Sequence, residues 1–383
     1  MSGEDSRSIV DCFADIEDPR VSYLCLHKLV DIVVIAVCAV ICGADNWVEV
    51  ADFGQARYDW LKKFLELPCG IPSHDTFERV FMVLDPDEFE RHFLEWVRHV
   101  AQVTKGQVIA LDGKALRRSQ DSAAGREAIY MVNAWASETG LALGQARIDD
   151  KSSEITAIPE LLQLLDVAGC IVTVDALNCQ KATAAQILDQ KADYIMAVKD
   201  NQPTLAKDTT ELFESAAQDA ALSASVDYAS TQEKDHGRIE KRECWVLQDS
   251  DSMFYIRSAH RDWPALNCLV KVESHRIVKG QEEHNVRYFI SSLSCSADEM
   301  LRHVRAHWSI ENSLHWVLDI GFREDESRVR AGYGAENLSR LRHIALNLLK
   351  QETSVRIGMH GRRLRAGWDM AYLERVLGIW EDA

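Results

Sequence analysis

The stretch QVIALDG, residues 107–113, is the first of three short apolar segments that predict neighbouring β-strands. It is rich in β-branched residues, and the segments IYMVNAWAS at 129–137 and LALGQARID at 141–149 follow it. The junction SETG at 137–140 is typical of a hairpin turn. This part of the chain therefore predicts three consecutive strands that run antiparallel.

Downstream of these strands, helical and strand-like segments alternate. SSEITAIPELLQLLDVAG at 152–169 and CQKATAAQILDQKA at 179–192 have helical periodicity, whereas GCIVTVDAL at 169–177 and DYIMAVKDN at 193–201 are typical of buried strands. The resulting order βββαβαβ predicts an α/β protein and matches the ribonuclease H-like fold, a mixed five-stranded sheet with helices on its faces. Periodicity alone also leaves other α/β layer architectures open.

The flanking regions have different patterns. Residues 8–100 show helical periodicity with a stop at Gly43 and starts at Ser73 and Pro86, which predicts an all-helical N-terminal domain. The stretch 204–232 is predicted to be helical and then loosely structured. Strand character returns in RIEKRECWVLQ, FYIRS, LNCLVKVESHRIV and NVRYFISSL, and two amphipathic helices follow, SADEMLRHVRAHWSIENSLHWVLDIGF and ENLSRLRHIALNLLKQE.

We therefore predict a helical domain at residues 1–103 and an α/β domain at 104–350. A β-rich insertion interrupts the α/β domain at about 233–295, and a basic tail or helix occupies 351–383.

Composition narrows the possible functions. The 383 residues are 47% hydrophobic and 27% charged, which is ordinary globular usage. The longest apolar run, residues 32–44, is 13 residues long, whereas a membrane-spanning helix needs about 20, so we expect a core helix and a cytoplasmic protein without a membrane partner. The cysteines form no CxxC pair, which argues against zinc ribbons and redox dithiols.

The net charge of −17 does not exclude nucleic acid as a partner, because binding depends on where the cations lie. Residues 302–375 hold 13 Lys and Arg against 9 Asp and Glu, so a basic face is possible within an acidic chain.

Two predicted strands are followed by aspartate, Asp112 in VIALDGK and Asp175 in VTVDALN. Aspartate is also a common turn former, but these strands would be neighbours in the predicted fold, so the two carboxylates could share a divalent cation. A pair of Mg²⁺ ions about 3.5–4 Å apart needs a third acid. Glu311 in HWSIENSLHW is the best candidate, although it could equally be an ordinary exposed helix residue.

Seven segments resemble, in order, the successive blocks of DDE insertion-sequence transposases, most closely the ISAs-type family that includes the H-repeat-associated proteins. They are LDGKALRRS, SSEITAIPELL, VTVDALNCQKA, ADYIMAVKDNQ, HGRIEKRE, HWSIENSLHWVLDIGFREDESRVR and ENLSRLRHIALNLLK. The N-terminal block, from DIEDPR through GIPSHDTFERVF, resembles that family's associated helical domain. The resemblance covers nearly the whole chain.

This resemblance implies a transposase with a ribonuclease H-like core whose metal-binding and catalytic acids are Asp112, Asp175 and Glu311. It implies two Mg²⁺ ions, with Mn²⁺ able to substitute, and phosphodiester hydrolysis followed by strand transfer. The implied partner is double-stranded DNA, both the terminal inverted repeats of a transposon and its target, bound by a homodimer. The alternative is a catalytically silent or domesticated DNA-binding descendant.

Polar residues near the predicted strand ends and the insertion are candidates for phosphate contacts, which position DNA without reading its sequence. Each could also be a solvated turn residue. They are Lys114, Arg117, Arg118, Lys199, Asn201, Gln202, His236, Arg238 and Arg242. A further cluster, Arg356, Arg362, Arg363 and Arg365, could form a non-specific phosphate contact or a solvated tail.

The helix of the third acid departs from a wider pattern. In the broader group of insertion-sequence transposases it often carries Tyr seven residues before the acid, Arg four before and Lys seven after, whereas this chain has Val304, His307 and Leu318. We expect His307 to replace the arginine as a phosphate ligand. His303, His307, Glu311 and His315 recur every four residues, which would also suit zinc, but the sequence has no HExxH motif.

Overall fold

The computed structural model describes residues 9–100, 105–120, 127–148, 154–235, 238–278 and 281–379. Its N-terminal region is helical, as predicted. The longest apolar run is a helix buried along nearly its whole length, and the chain leaves it through Gly43 at φ +109°. The helices of this region are α1 (Ile9–Phe13), α2 (Leu29–Ile41), α3 (Trp47–Ala56), α4 (Tyr58–Leu61), α5 (His74–Val83) and α6 (Pro86–Val100).

One large mixed sheet follows these helices. In chain order its strands are β1 (Val108–Leu116), β2 (Ile129–Ala136), β3 (Leu141–Ile148), β4 (Ile171–Val174), β5 (Asp193–Val198), β6 (Val226–Asp235), β7 (Arg238–Leu247), β8 (Cys268–Val278) and β9 (Gln281–Ser291). The intervening helices are α7 (Glu154–Leu164), α8 (Lys181–Asp189), α9 (Pro203–Gln218), α10 (Ala220–Ser223) and α11 (Ser250–Ala259).

The strand order across the sheet is β3-β2-β1-β4-β5-β9-β8-β7-β6. The first three strands along the chain pair antiparallel, and β1, β4 and β5 pair parallel, as the sequence predicts. The hairpin between β2 and β3 turns at Gly140, whose φ of +67° is the left-handed conformation that glycine adopts without steric cost.

The apolar run suggested that the first strand ends at Asp112, but in the structure the strand continues beyond this residue. Antiparallel pairing with β2 extends it to Leu116, which lies opposite Ile129. Its parallel ladder with β4 ends earlier, at the pair Leu111 and Val174. Asp112 is therefore in the middle of a strand and yet at the end of the parallel ladder.

The β-rich insertion differs from its prediction in two places. The segment FYIRS at 254–258 is helical rather than extended, because Asp249 caps α11 by accepting from the N–H groups of Asp251 and Ser252. The insertion also begins with β6 at Val226, whose polar sequence VDYASTQEKD has no apolar signal. Since β9 pairs antiparallel with β5, the insertion extends the central sheet instead of forming a second one.

The C-terminal helices complete the core. They are α12 (Ala297–His307), α13 (Trp316–Gly321), α14 (Gly334–Gln351), α15 (Met359–Trp368) and α16 (Met370–Leu377). α14 is buried on all sides except near its end, and it contacts α2, α5, α6 and β3. One hydrophobic cluster consequently runs from the N-terminal helices through α14 to the sheet.

A buried ion pair joins these layers. The carboxylate of Glu90 on α6 accepts from Nε of Arg340 on α14 at 2.8 Å and from the backbone N–H of Gln145 on β3 at 2.7 Å. Both charged side chains are buried, so the attraction between them offsets the free-energy cost of removing each charge from water.

The predicted basic tail is two packed helices, and two of its four arginines lie against the protein interior. Arg363 is buried and donates to the carbonyl oxygens of Val40, in the last turn of the apolar helix α2, and of Ala44, just after that helix. Arg362 donates to the carbonyl of Leu349 at 2.6 Å. These two guanidinium groups bind backbone carbonyl groups inside the fold, so neither alternative, a phosphate contact or a solvated tail, describes all four arginines.

Among the residues that the structure describes, we find no helix with the length and apolar character that crossing a membrane requires.

We predict that Glu90→Ala lowers the free energy of unfolding by about 3–5 kcal/mol, because it leaves Arg340 buried without its partner. Glu95→Ala on the same helix is the matched control. Its carboxylate meets the exposed Arg91 at 2.8 Å, so its loss should cost about 0–1 kcal/mol. Urea unfolding followed by circular dichroism measures both values, and equal effects would show that the buried pair is not a special constraint.

Candidate active site

Asp112 and Asp175 occupy equivalent places on neighbouring parallel strands. Each follows the last parallel pair of its ladder, Leu111 with Val174, by one residue. The Asp112 Oδ1 atom accepts from the backbone N–H of Gly113 at 3.0 Å. The Asp175 Oδ1 atom accepts from the Asn178 backbone N–H at 3.1 Å and from its side-chain amide at 2.8 Å. Both carboxylates are thus oriented by local hydrogen bonds at one edge of the parallel strands.

Glu311 begins a π-helical turn that interrupts the predicted long helix. The turn spans Glu311–His315, and the backbone N–H of Trp316 donates to the carbonyl of Glu311, five residues back. The turn lies at the end of the four-residue repeat of His303, His307, Glu311 and His315, and Glu311 and His315 remain in contact across it. The Glu311 side chain is 52% exposed, while that of His315 is only 6% exposed. π-turns of this kind are frequently found at functional sites.

Two hydrogen bonds fix this helix to the strand beside Asp112. Nε1 of Trp135 on β2 donates to Oγ of Ser309 at 2.9 Å, and Oγ of Ser137 donates to the carbonyl of Ala306 at 2.9 Å. The position of Glu311 is therefore set by contacts with the sheet as well as by its own helix.

His315 lies between two of the acids. Its Nδ1 atom is 3.5 Å from Oε2 of Glu311 and 3.8 Å from Oδ2 of Asp112. Its Nε2 atom is 3.3 Å from the side-chain amide nitrogen of Asn133, which is the cross-strand partner of Asp112. Nδ1 of His315 therefore faces the acids, and Nε2 faces the side-chain amide of Asn133.

Sequence reasoning did not assign roles to Asn133 and His315 at this site. The available signal was a polar residue in the apolar strand IYMVNAWAS, which becomes informative only when the antiparallel register places it opposite Asp112.

The acids do not share one electrostatic state. Burial, together with the nearby charges of Glu311 and Asp175, raises the pKa of Asp112 to about 8. The hydrogen bond from His315 lowers the pKa of Glu311. At neutral pH, Asp112 therefore holds a proton and Glu311 is ionised. A carboxyl group with a pKa this far from its ordinary value, lying in a cleft, is typical of a functional site.

These acids lie on a cavity of about 600 Å³ between the ends of the parallel strands, the insertion and the helix of Glu311. All three acids line it, together with Thr173, Lys199, Arg287, His307 and Trp308 among others. The potential ligand atoms of Asp112, Glu311 and His315 lie within 4.8 Å of one another. The carboxyl oxygens of Asp112 and Glu311 are hard ligands that suit Mg²⁺ or Mn²⁺, and His315 offers an imidazole nitrogen beside them, so these residues fit a divalent cation.

Lys114 is not available for the phosphate contact that its position after Asp112 suggested. Its side chain is 9% exposed, and Nζ contacts carboxylate oxygens of Asp319 at 2.6 Å and Glu324 at 2.7 Å. This ammonium group instead joins the strand of Asp112 to the segment that follows Glu311. Arg117 remains exposed, with Asp325 at 3.2 Å, and Arg118 is exposed beside it.

Lys199 is exposed and lines the cavity, as a phosphate-binding residue must. The neighbouring amides have a different environment. The Asn201 side chain donates to the carbonyl of Ala176, and that of Gln202 donates to the carbonyl of Cys179 at 3.0 Å. Both amides hold the loop that carries Asp175.

His307 faces the cavity, but its environment differs from the expected cationic one. Its Nδ1 atom is 2.8 Å from Oγ1 of Thr173, and burial lowers its pKa to about 4. The imidazole is therefore neutral at physiological pH, unlike the arginine of the wider pattern, and its role as a phosphate ligand stays a prediction.

The remaining candidates lie in the insertion. His236 and the side chain of Arg238 lie outside the described residues. Arg242 contacts Glu240 at 2.7 Å and Glu233 at 3.2 Å, so its charge is balanced within the insertion.

Comparison with known proteins identifies relatives along the whole chain. The family described as "Transposase DDE domain" matches residues 103–348, and the one described as "DDE_Tnp_1-associated" matches residues 10–97. "Putative transposase YncI" of Escherichia coli O157:H7 is 41% identical over 97% of this chain and 94% of that protein. "H repeat-associated putative transposase YhhI" of E. coli K12 is 37% identical over 97% of this chain and 98% of that protein.

Among solved structures, one described as "Cryo-EM structure of piggyBac transposase synaptic complex with hairpin DNA" aligns with 97% of this chain and 78% of that chain. Its TM-score is 0.42 at 11% identity, which is too remote to carry an inference.

We predict that Asp112→Asn raises the melting temperature of the metal-free protein at pH 8 by at least about 2 °C. The pKa of Asp112 is higher in the folded state than its ordinary value of 3.8, so the folded protein holds the proton longer and loses stability as the pH rises from about 4 to about 8. The amide removes this penalty, so the difference between the variant and the parent should grow across that pH range.

Thermal unfolding in chelator at pH 5 and pH 8 measures this difference, with Asp189→Asn on the exposed face of α8 as the control. Adding Mn²⁺ should then stabilise the parent more than Asp112→Asn. Equal melting temperatures for parent and variant at pH 8 would contradict the assigned electrostatics.

Proposed function

The chain belongs to the DDE transposase family, and from that membership we propose that it cleaves and rejoins phosphodiester bonds at the ends of an insertion sequence. The observation that carries this proposal is the convergence of Asp112, Asp175 and Glu311 on one cavity. These acids come from distant parts of the sequence, and none of them is needed by a packed core. Their convergence is the arrangement that metal-assisted chemistry at phosphorus requires.

We assign the catalytic region to the ribonuclease H-like class. The observed order β3-β2-β1-β4-β5, with three antiparallel strands followed by parallel ones, supports this assignment. The β-rich insertion would then be an extension of that sheet placed ahead of the helix that carries Glu311.

Asp112, Asp175 and Glu311 would hold the metal, which we propose to be two Mg²⁺ ions that Mn²⁺ can replace. Such ions supply an activated water molecule and stabilise charge on the phosphate oxygens. The protein's own groups prepare the site for this chemistry. His315 and Asn133 orient Glu311 beside Asp112, and Asn178 orients Asp175.

The proposed partner is double-stranded DNA, first at the terminal inverted repeats and then at the target, bound by two copies of the chain. Lys199 on the cavity wall and Arg117 and Arg118 on the exposed surface are the proposed phosphate contacts. Such a protein would act in the cytoplasm, on the nucleoid.

The alternative is a DNA-binding descendant that no longer cuts. It shares every feature of the site except turnover, so a cleavage assay separates the two. A parent protein that binds the end DNA but never nicks it in Mg²⁺ or Mn²⁺ would favour the alternative.

We predict that Asp112→Asn, Asp175→Asn and Glu311→Gln each reduce metal-dependent nicking of end DNA by more than about 100-fold. Each substitution removes a metal-binding charge while keeping the side-chain shape, so folding and DNA binding should persist. The substrate is a duplex carrying one end of the DNA segment that encloses the gene, and Asp189→Asn is the control. Near-parental nicking by any of the three variants would remove that residue from the site.

We also predict that affinity for the same duplex falls steeply with salt despite the net charge of −17, because bound phosphates release counterions. Lys199→Ala should reduce the slope of log affinity against log salt by about 1. Lys207→Ala is the control, because that lysine is 70% exposed on α9 and pairs with Glu211. Fluorescence anisotropy gives both slopes, and a Lys199→Ala slope equal to that of the parent would exclude this contact.

A further inference from the structure

Arg287 lies on β9 at the wall of the cavity that holds the three acids. Its guanidinium carbon is 4.3 Å from the centroid of the Trp308 ring, which precedes Glu311 by three residues. The Trp308 side chain is itself 43% exposed. Arg287 and Trp308 therefore form a stacked pair at the entrance to the site.

Arg287 differs from the neighbouring arginines, whose charges are balanced by carboxylates. Arg276 on β8 contacts Glu240 at 3.2 Å, and Arg305 on α12 contacts Glu233 at 2.7 Å. Over the part of the chain that the structure describes, we find no carboxylate within 4.0 Å of the Arg287 guanidinium, which is exposed on β9 and has the charge of Arg276 nearby. An arginine in such surroundings is suited to an anion from outside the chain.

The cavity needs such a cation if a DNA strand is to enter it. The ionised Glu311 repels phosphate until metal neutralises it, and His307 is neutral. Lys199 offers a mobile point charge at the carboxyl end of β5. Arg287 differs from it because a guanidinium group is planar and matches two phosphate oxygens at once, and stacking on Trp308 restricts its orientation.

We propose that Arg287, held against Trp308, binds one backbone phosphate of the DNA strand whose neighbouring phosphodiester lies at Asp112, Asp175 and Glu311. This inference rests on the proposed function and adds a DNA-binding residue that the sequence did not indicate. It places a phosphate contact on the insertion, opposite the acids, and leaves the helix of Glu311 to supply the aromatic support.

The test combines a substitution in the protein with a chemical modification of the DNA backbone. The probe is the labelled duplex carrying one end of the enclosing DNA segment, prepared with single neutral methylphosphonates at each of the phosphates nearest the cleavage point. Binding is measured in the Glu311→Gln protein, which keeps the probe intact, with and without Arg287→Ala.

We expect Arg287→Ala to weaken binding of unmodified probe by about 10- to 100-fold, the range of a hydrogen-bonded charge contact. At one position, the methylphosphonate should weaken probe binding by the protein with Arg287 by a similar factor. The same modification should leave probe binding by Arg287→Ala nearly unaffected. Arg287→Lys should recover only part of the lost affinity, because an ammonium group cannot donate to two phosphate oxygens in the fixed planar geometry of a guanidinium group. Arg261→Ala, which removes an exposed arginine in the loop after α11, should behave as the parent.

The outcomes separate this inference from the proposed function. Cleavage by the parent together with full binding by Arg287→Ala overturns the inference and leaves the function standing. The inference is also overturned if, at every methylphosphonate position, the loss of affinity adds to the loss caused by Arg287→Ala. Arg287 would then act through packing on Trp308. Absence of both binding and cleavage by the parent overturns the function itself. Thermal unfolding of each variant establishes that it is folded.

Discussion

The parallel pairing of β1 with β4 is the constraint on which the candidate site depends. Backbone hydrogen bonds hold Leu111 opposite Val174, so the next residue on each strand, Asp112 and Asp175, emerges at the same edge. A shift of one residue in either strand would turn its aspartate to the other face of the sheet. The elements added later, including the π-turn of Glu311 and the hydrogen bonds from Trp135 and Ser137, bring a third acid to a pair that the sheet has already positioned.

Sequence patterns predicted the features that depend on local periodicity or on a run of apolar residues. The helices before residue 100, the strands β1 to β5 and their antiparallel and parallel pairing belong to this class. The errors have physical causes that act over longer distances. β6 is stabilised by pairing with β7 and by the packing of Val226 and Ala229 against the core, and 254–258 is helical because of a cap at Asp249. The roles of Lys114, His315 and Arg287 depend on partners from other elements, which spacing cannot identify.

The chain has a net negative charge, and several of its arginines are buried inside the fold. Arg340, Arg342 and Arg363 are all buried and lie beside carboxylates or carbonyl groups. Counting cations in the C-terminal segment therefore overstates the charge available to a polyanion. The cations that we propose for DNA lie around the cavity or on the nearby surface at Arg117 and Arg118. An acidic surface elsewhere would then discourage DNA from binding at other places.

The pairing of β5 with β9 makes the insertion part of the same hydrogen-bonded ladder as the strands of the acids. Tyr288, the residue after Arg287, lies opposite Val198 in this ladder, so the backbone of the insertion is tied directly to the strand that ends beside Lys199. The two walls of the cavity cannot separate by rotation about a flexible linker. The site is preorganised, and in the complex that we propose the entropic cost of binding falls on the DNA strand, which must adapt its own path to fit between the two walls.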